Sequence, residues 1–281
     1  MSKRDPIEES RRLYRAGRWQ YADTGSPLDL GPLGYFAVST MRAYLRGERV
    51  ESFLDVGGGE GTVGRMVTRG KCQAILDPVI ESLQVARGYC SQAVGGDGRK
   101  LPFADDTFDM VLLNDVLEHI PQRDVPLMLR EAYRVLRPGG ISIIHTSAFG
   151  IYMRRWLRPG PPGRIDADDV TDGHLNRMEK YELLQYIAGA GFKTEKFVFY
   201  KHFFQPLSDL PIRVFKAIGR ILRGERSDYS DIRTKVNKNR FVRFFNRVRC
   251  WIPFLDALIW GKWAGGAVVI KVRKPFGKNV Q

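Results

Sequence analysis

The sequence predicts an α/β fold, a doubly wound parallel sheet with helices on both faces. Three observations carry this prediction. The 281-residue chain has a globular balance of 43% hydrophobic and 27% charged residues, its central part alternates short apolar runs with helical stretches, and those runs are continuously apolar. Continuous runs are typical of strands that are buried on both faces of a parallel sheet. The same composition excludes wholesale disorder.

The elements of the predicted core follow one another within residues 51–201. Strands are expected at 52–56, 74–77, 92–94, 109–113, 141–144 and 192–200, with a last one at 267–272. Helices are expected at 64–69, 79–89, 124–136 and 179–190. The proline and glycines of Arg137–Gly140 are expected to stop the third helix and to turn the chain into the next strand.

Three further segments complete the predicted organisation. Residues 1–50 carry prolines and glycines between two basic helical stretches, and we expect them to form a helical arm or lid over the core. Residues 202–266 separate two predicted strands by far more chain than a loop needs, which indicates an insertion. Residues 267–281 would supply the last core strand and a tail.

Positive charge is concentrated in the predicted insertion. The formal net charge is +14, and residues 201–250 hold 13 Lys and Arg against 4 acidic residues. Residues 211–223 project onto a helix with one apolar side and one basic side, and aromatic residues follow up to Trp263. Such a surface suits an anionic membrane. Two alternatives stay open: the apolar side packs on the core beneath solvated charges, or the basic and aromatic residues bind RNA.

A glycine-rich turn is the most informative segment of the sequence. The strand Phe53–Val56 leads into Gly57, Gly58, Gly59, Glu60 and Gly61, followed by a helix. Glycines in such a turn let the backbone approach a ligand where side chains would clash, so the turn indicates a nucleotide-like cofactor. Because Gly59, Gly61 and Gly64 also fit the dinucleotide pattern G-x-G-x-x-G, the turn alone does not select the cofactor.

Three carboxylates at successive strand ends narrow the choice. Asp55, beside the turn, would repel a pyrophosphate but would attract a cation. Asp77 ends the second strand and is placed to accept hydrogen bonds from ribose hydroxyls. Asp97 follows the third strand and can accept one from the amino group of adenine. A cationic, ribosylated and adenylated ligand is expected, and S-adenosyl-L-methionine has these three properties.

Several ordered sequence blocks resemble the class I S-adenosylmethionine-dependent methyltransferases, in the branch of ubiquinone and menaquinone biosynthesis. The resemblance covers roughly residues 50–200. Any one block is common, but their order and spacing are specific. The blocks are Leu54–Gly61, Leu76–Pro78, Gly96–Gly98 with Leu101–Phe103, Phe108–Val111, Val116–Ile120 and Val135–Gly140.

The resemblance implies a Rossmann-like, seven-stranded sheet whose last strand is antiparallel, and it implies roles for the matching residues. Asp55 and the glycines of the turn would line the methionine end of the cofactor. Asp77 with Pro78 would hold the ribose, and Asp97 with Gly98 would flank the adenine. Asn114, at the end of the fourth strand, would line the methyl-donor pocket.

Histidines are the natural candidates for a general base if the acceptor is a hydroxyl. His119 follows the fourth strand, at the rim where open α/β sheets bind their ligands. His174 precedes a helix that closes over the pocket in the family that the chain resembles. These two are the predicted catalytic residues. His145 could also face the cleft, whereas His202 begins the insertion and is expected to be unrelated to the chemistry.

The sequence offers candidate ligands for a divalent metal ion, but a metal site is not predicted. Asp115, Glu118 and His119 have the spacing of an oxygen and nitrogen ligand cluster, with His174 as a fourth candidate. Some relatives in the quinone branch use a similar group, but they carry a glutamate where this chain has Asp115. A capped loop with a hydrogen-bonded histidine is the favoured interpretation.

The cellular setting predicted from the sequence is the cytoplasm. Cys72, Cys90 and Cys250 are odd in number and lack metal-ligand spacing, so neither a disulfide framework nor a zinc site is expected. No apolar run is long enough to span a membrane, and Met1–Ser10 is charged, unlike a signal peptide. The insertion adds the expectation of peripheral attachment to the inner face of the membrane.

The predicted function is methyl transfer from S-adenosylmethionine to a small or lipid-like acceptor, with oxygen as the first choice of atom and carbon as the second. One alternative is an RNA-binding or RNA-modifying protein with this fold. It is disfavoured because Asn114–Leu117 lacks the Pro-Pro-aromatic sequence by which base-amino methyltransferases resemble one another. The other alternative, a nicotinamide-dependent oxidoreductase, is disfavoured by Asp55.

Overall fold

A computed structural model describes residues 5–15, 26–69, 74–149, 173–200, 248–262 and 265–276. Its main sheet has seven strands in the order β3-β2-β1-β4-β5-β9-β8, and a short two-stranded pair, β6-β7, lies apart from it. The strands are β1 (Phe53–Val56), β2 (Ala74–Asp77), β3 (Gln92–Gly95), β4 (Phe108–Asn114), β5 (Leu136–Thr146), β6 (Ala148–Phe149), β7 (Met178–Glu179), β8 (Lys193–Tyr200) and β9 (Ala267–Arg273).

Helices join the strands of the sheet and cover its faces. They are α1 (Pro6–Arg15), α2 (Gly31–Tyr44), α3 (Thr62–Thr68), α4 (Ile80–Ala86), α5 (Val125–Val135), α6 (Lys180–Gly189) and α7 (Ile252–Trp260). Short 3-10 turns lie at Leu117–His119 and Gln122–Asp124. In the described part of the chain, no helix is both long enough and apolar enough to cross a membrane. The predicted basic helix at 211–223 lies outside the described residues.

The sheet confirms the predicted fold class. β1 pairs in parallel with both β2 and β4, and β4 pairs in parallel with β5. β9 is antiparallel to both β5 and β8, as the family resemblance implies for the last strand. Because the chain runs from β1 towards β2 on one side and later returns to β4 on the other, the strand order reverses at β1. Open α/β sheets bind their ligands at the carboxyl ends of the strands at such a point.

The two faces of the sheet are buried by different helices. Leu54 and Val56 of β1 face a core that includes α5 and α6. Phe53 lies on the opposite face, in a core that includes α2 and α3. The N-terminal segment therefore contributes through Phe36 and Met41 of α2 to one of the two main cores. The division of the chain into an arm, a core and an insertion stays a prediction.

The third helix ends directly before Arg137–Gly140, as predicted, but these residues belong to strand β5 and do not precede it. β5 begins at Leu136, directly after α5, and its backbone is irregular within these four residues, since Gly139 has φ +83°. The register shifts there, since Phe108 pairs with Leu136 but Met110 pairs with Ile141. The extra residues bulge and bond to the end of the chain: the Gly139 N–H donates to the Lys274 carbonyl at 2.9 Å. Partners that are distant in sequence therefore hold this segment in the sheet.

Candidate functional site

The glycine-rich turn lies at the carboxyl end of β1, in the middle of the sheet. The Gly57 N–H donates to the Leu76 carbonyl at 2.7 Å, and the Gly61 N–H donates to the Gly58 carbonyl at 2.8 Å, so the turn is anchored to β2 and closed on itself. Gly59 has φ +55°, and a Cβ there would meet no atom within 4 Å. The backbone at Gly59 therefore borders open space, which a ligand could approach without obstruction.

Asp55 lies beneath this turn. Its side chain is buried, and a Cβ on Gly58 or Gly64 would come within 2.7 Å or 2.1 Å of Asp55 Oδ2. Burial, and then the charge of the neighbouring Asp77, raise the pKa of Asp55 to about 8. The carboxyl group thus occupies space that only glycines leave free, and a positively charged ligand beside it would favour its ionisation.

Asp77 binds the turn to the end of β2. Asp77 Oδ2 accepts the Gly59 N–H at 2.9 Å, and Oδ1 accepts the Val79 N–H at 2.8 Å. Burial raises the pKa of Asp77 to about 6, partly offset by these hydrogen bonds. Because each carboxylate oxygen has two lone pairs, both oxygens can accept a further bond. Pro78 follows directly and is half-buried.

Asp97 is held by an arginine that the sequence analysis did not consider. Asp97 Oδ2 accepts from Arg99 Nη2 at 2.6 Å, while Arg99 Nη1 reaches Asp124 Oδ2 at 2.6 Å. Burial acts to raise the pKa of Asp97, but the bonds from Arg99 bring it below its ordinary value. Gly98 is buried, and a Cβ there would lie 2.8 Å from Val56 and from Met128. Contact of Asp97 and Gly98 with adenine stays a prediction.

Asn114 ends β4 and belongs to a polar cluster at the same edge of the sheet. Its Nδ2 donates to Asp115 Oδ2 at 3.1 Å, and its Oδ1 lies 2.9 Å from His145 Nδ1. The His145 ring also lies 3.1 Å from Asp115 Oδ1, and its Nε2 contacts the hydroxyl of Tyr200. Tyr200 was missed by the sequence analysis, although its place at the end of a strand marks it as an edge residue.

The two predicted catalytic histidines lie side by side. The ring centroids of His119 and His174 are 5.0 Å apart, and His119 Nδ1 lies 3.2 Å from the Gly173 carbonyl. Burial lowers the pKa of His119, although the charge of Glu118 acts in the opposite direction. The segment that carries His174 is fixed on the 3-10 turn, since Asn176 Nδ2 donates to the carbonyls of Leu117 and Ile120 at 2.7 Å and 2.6 Å.

Glu118 does not join a ligand cluster with these histidines. Its side chain is fully buried and accepts from Thr146 Oγ1 at 2.7 Å and from the Ser147 N–H at 2.9 Å. It therefore ties the 3-10 turn to the end of β5. Among the residues that the structure describes, no group of three or more His, Cys, Asp or Glu could hold a metal ion.

Helix α1 contacts the glycine-rich turn through Tyr14. The Tyr14 hydroxyl donates to Glu60 Oε1 at 3.0 Å, and Arg15 Nη2 forms an ion pair with Glu81 Oε1 at 2.8 Å. Burial, followed by the hydrogen bond to Glu60, raises the pKa of Tyr14 to about 12. The hydroxyl therefore stays protonated as a donor at neutral pH, and α1 is tied to the candidate cofactor site.

Comparisons with known proteins agree with this geometry. Residues 54–144 match a family model described as a methyltransferase domain. The chain is 32% identical over 111 residues to a ubiquinone/menaquinone biosynthesis C-methyltransferase of Dinoroseobacter shibae, which covers 36% of this chain and 44% of that protein. It is 49% identical over 91 residues to a demethylmenaquinone methyltransferase of Streptomyces griseus, which covers 30% of this chain and 39% of that protein.

A solved structure shares the fold at low sequence identity. Phosphoethanolamine N-methyltransferase 2 of Haemonchus contortus, solved in complex with S-adenosyl-L-methionine, aligns with a TM-score of 0.54 at 17% identity, covering 94% of this chain and 60% of that one. The matches to the two curated relatives span less than half the length of either. The similarity to methyltransferases of the ubiquinone and menaquinone branch, predicted from the sequence blocks, is confirmed over the matched part of the chain.

Proposed function

We propose that this chain, whose residues 54–144 match a methyltransferase-domain model, is an S-adenosylmethionine-dependent methyltransferase that acts on a small-molecule acceptor. The observation that carries the proposal is the glycine-rich turn at the strand-order reversal, with Asp55 beneath it and Asp77 bonded to Gly59 at 2.9 Å. The match to the family model and the quinone-branch relatives support it independently.

The residues of this site suit the cofactor. When bound, S-adenosylmethionine supplies a methyl group on a positively charged sulfur. Open space at Gly59 would admit the cofactor against the backbone of the turn. Asp77 would accept from the ribose hydroxyls through its remaining lone pairs, and Asp55, which ionises more readily beside a cation, would favour a positively charged ligand. Asn114 would border the methyl-donor end, and Asp97 with Gly98 the adenine end.

His119 and His174 are the proposed acceptor-site histidines. Because His119 Nδ1 faces the Gly173 carbonyl, which can only accept, Nδ1 carries the ring proton and Nε2 is the nitrogen that can take one. Burial, by lowering the pKa of His119, favours the neutral ring that a general base requires. The ring centroid of His174 is 5.0 Å from that of His119, so His174 would border the same acceptor.

We propose a lipid-like aromatic acceptor such as a hydroquinone. Support comes from the two relatives that are named for quinone biosynthesis. Oxygen was the first choice of methylated atom from the sequence, whereas one of these relatives is a C-methyltransferase, which favours a ring carbon. Analysis of the methylated product by mass spectrometry and carbon NMR distinguishes an ether from a ring methyl.

An anionic membrane surface is the proposed place where the acceptor is met. Helix α7 packs on α2, with the ring centroids of Phe254 and Phe36 at 4.7 Å, but it exposes Trp251, Leu255 and Leu258, the last to 83%. The segment directly before it carries most of the net positive charge of the chain. Exposed aromatic and aliphatic side chains beside basic residues are typical of helices at the headgroup boundary.

The function is tested by ligand binding and methyl transfer together. Calorimetry should detect binding of S-adenosylhomocysteine, the demethylated product of the cofactor, and should detect no binding of NAD. The chain should then transfer a labelled methyl group to a prenylated 1,4-naphthohydroquinone or a prenylated catechol. Binding of NAD alone would overturn the proposal in favour of the oxidoreductase, and cofactor binding without transfer to either probe would remove the hydroquinone acceptor.

A further inference from the structure

Three titratable side chains form a hydrogen-bonded line at the carboxyl edge of the sheet. Asp115 follows β4, His145 lies near the end of β5, and Tyr200 ends β8. Asp115 Oδ1 is 3.1 Å from His145 Nδ1, and His145 Nε2 is 2.5 Å from the Tyr200 hydroxyl. The residues come from positions up to 85 apart in sequence, and their alignment depends on the strand order.

The hydrogen-bond partners determine the proton on the His145 ring. Nδ1 faces two oxygens that accept, Asn114 Oδ1 at 2.9 Å and Asp115 Oδ1 at 3.1 Å. In the neutral ring Nδ1 must therefore carry the hydrogen, and Nε2 presents its lone pair to the Tyr200 hydroxyl. Tyr200 then donates to His145. This is the same division of roles by which a carboxylate orients a histidine towards a hydroxyl in serine hydrolases.

The backbone holds Asp115 in this position. Asp115 has φ +53°, in the left-handed region that residues with a Cβ rarely adopt. Its N–H donates to the His145 carbonyl at 2.9 Å, while its Oδ2 accepts from Asn114 Nδ2 at 3.1 Å. These two hydrogen bonds, one at the backbone and one at the side chain, orient the Asp115 carboxylate towards the His145 imidazole. Strained residues that are held by several bonds are frequent in functional sites.

Apolar packing fixes the other end of the line. The Tyr200 ring lies against Phe36 of α2, with centroids 4.7 Å apart, and it stacks on the His145 ring at 5.8 Å. Both rings are buried. Since adjacent strands lie about 4.8 Å apart, β5 is about 10 Å from the turn at the end of β1. His145 Nδ1 lies 2.9 Å from Asn114 Oδ1, and Asn114 is predicted to line the methyl-donor pocket, so the middle of the line lies next to that pocket.

We propose that Asp115, His145 and Tyr200 form a proton relay that removes the acceptor's proton during methyl transfer, with the Tyr200 hydroxyl as the group that contacts the acceptor. The inference rests on the proposed function and goes beyond it, because it assigns deprotonation to a line of three residues in addition to the predicted pair His119 and His174. Asp115 and His145 are positioning residues in this scheme, and Tyr200 is the catalytic residue.

The step balances without any further reactant. The acceptor hydroxyl gives its proton to the Tyr200 oxygen, and Tyr200 gives its own proton to His145 Nε2. The acceptor oxygen, or the ring carbon that its charge activates, forms the bond to the methyl group, while the carbon–sulfur bond breaks and leaves its electron pair on sulfur. Asp115 stabilises the imidazolium until the proton passes to solvent.

Neighbouring charges favour this direction of transfer. Burial acts to raise the pKa of Asp115, but His145, and then His119 and His174, bring it below its ordinary value. Asp115 therefore stays an anion and attracts a proton towards His145. Helix α2 and strand β9 contribute the apolar Phe36 and Val269 at this face, and the titratable Asp115 and Tyr200 contact His145.

The relay is tested with two variants and a matched control, using the prenylated hydroquinone and catechol as acceptors. Tyr200→Phe should lower kcat by about 10²-fold or more while leaving the affinity for S-adenosylhomocysteine unchanged. His145→Gln should also remove the fall in rate at acidic pH that protonation of Nε2 causes. Tyr186→Phe removes a tyrosine hydroxyl whose bond at 3.1 Å is to Glu182, and it should retain the wild-type rate and pH profile.

Two outcomes separate failure of the relay from failure of the proposed function. Wild-type rate and pH profile in Tyr200→Phe would overturn the relay and leave the methyltransferase assignment intact. A wild-type chain that neither binds S-adenosylhomocysteine nor transfers methyl groups would overturn both. Nitrogen NMR of the full chain with labelled histidine adds a readout without turnover: His145 should carry hydrogen on Nδ1, and Tyr200→Phe should shift its Nε2 resonance. An Nε2–H tautomer would contradict the relay.

Discussion

At the scale of single residues, Asp77 makes the sharpest prediction about the cofactor. Asp77→Ala should weaken S-adenosylhomocysteine binding by about 2–3 kcal/mol, because the ribose hydroxyls lose a charged acceptor and the Gly59 N–H loses its 2.9 Å partner. Isothermal calorimetry measures this loss. Asp105→Ala, which removes an exposed acid paired with Arg134 at 2.6 Å, should leave the affinity unchanged. Equal affinities for the two variants would place the ribose elsewhere.

Asp55 predicts a pH dependence of stability in the absence of cofactor. Its pKa of about 8 and that of Asp77 of about 6 lie above the ordinary carboxyl value, so the folded chain binds more protons than the unfolded chain from about pH 4 to pH 8. The free energy of unfolding should therefore fall as pH rises through this window. Each excess bound proton contributes about 1.4 kcal/mol per pH unit.

Asp55→Asn isolates this contribution. Between pH 7 and pH 8, where Asp77 has largely ionised, the variant should lose the pH-dependent slope that the wild-type chain shows in urea unfolding. Its affinity for S-adenosylhomocysteine should fall, because an amide does not attract the positively charged amino group of that ligand. A slope that is identical in both proteins would mean that Asp55 is already ionised beneath the turn.

The sequence could predict the residues at strand ends but not their cross-strand partners. Asp55 and Asp77 each follow a short apolar run, so their place at the edge of the sheet is a local property. The partnership of His145 and Tyr200 joins positions 55 apart, and it exists because β8 is added beside β9. Asp97 shows a second limit: Arg99 is only two positions away, yet its bond to Asp97 depends on side-chain rotamers.

At the scale of elements, the close packing of α3 on β1 predicts the effect of a methyl group. A Cβ at Gly64 would lie 2.1 Å from Asp55 Oδ2 and 3.3 Å from Phe53, both buried. Gly64→Ala should destabilise the fold by about 1–3 kcal/mol in urea unfolding, because helix and strand must separate. Gly189→Ala is the matched control in α6: a Cβ there meets nothing within 4 Å, so it should stabilise the helix by about 0.5–1 kcal/mol. A neutral Gly64→Ala would show that Asp55 has room to move.

The same scale explains why β5 could not be bounded from its sequence. Arg-Pro-Gly-Gly is a helix stop and turn by local preference. In the fold, the Arg273 guanidinium donates to the Gly139 carbonyl at 2.7 Å, and the Lys274 N–H donates to the Gly140 carbonyl at 2.9 Å. The last residue of β9 and the residue after it thus supply the partners that hold the segment in the sheet. The apolar run predicted that β5 exists. Its first residue could not be predicted, because it depends on contacts with residues more than 130 positions away in sequence.

At the scale of the whole molecule, the most basic segment of the chain directly precedes a helix with exposed apolar residues. The chain carries +14, most of it between 201 and 250, directly before the exposed face of α7. Charge alone would attract any polyanion, including RNA, and that attraction would be lost in salt. Exposed Trp251 and Leu258 would add apolar contacts with the boundary of a bilayer. RNA phosphates would gain nothing from these two side chains. Substitution of these two apolar residues should therefore weaken binding to a membrane but not binding to RNA.

We expect the chain to bind vesicles that contain about one third phosphatidylserine, and to bind phosphatidylcholine vesicles far less. Raising the salt from about 0.05 M to about 0.5 M should weaken binding strongly, since the charges are then screened beyond a few ångströms. Leu258→Asp together with Trp251→Ala should reduce flotation at least tenfold at low salt, because the inserted apolar surface is lost while the net charge changes by a single unit. The control Leu127→Asp alters an exposed leucine of α5 by the same charge and should float as the wild-type chain does. Vesicle binding that is insensitive to the α7 substitutions, combined with tight, salt-sensitive RNA binding, would assign the basic segment to nucleic acid and would exclude the membrane as the place where the acceptor is met.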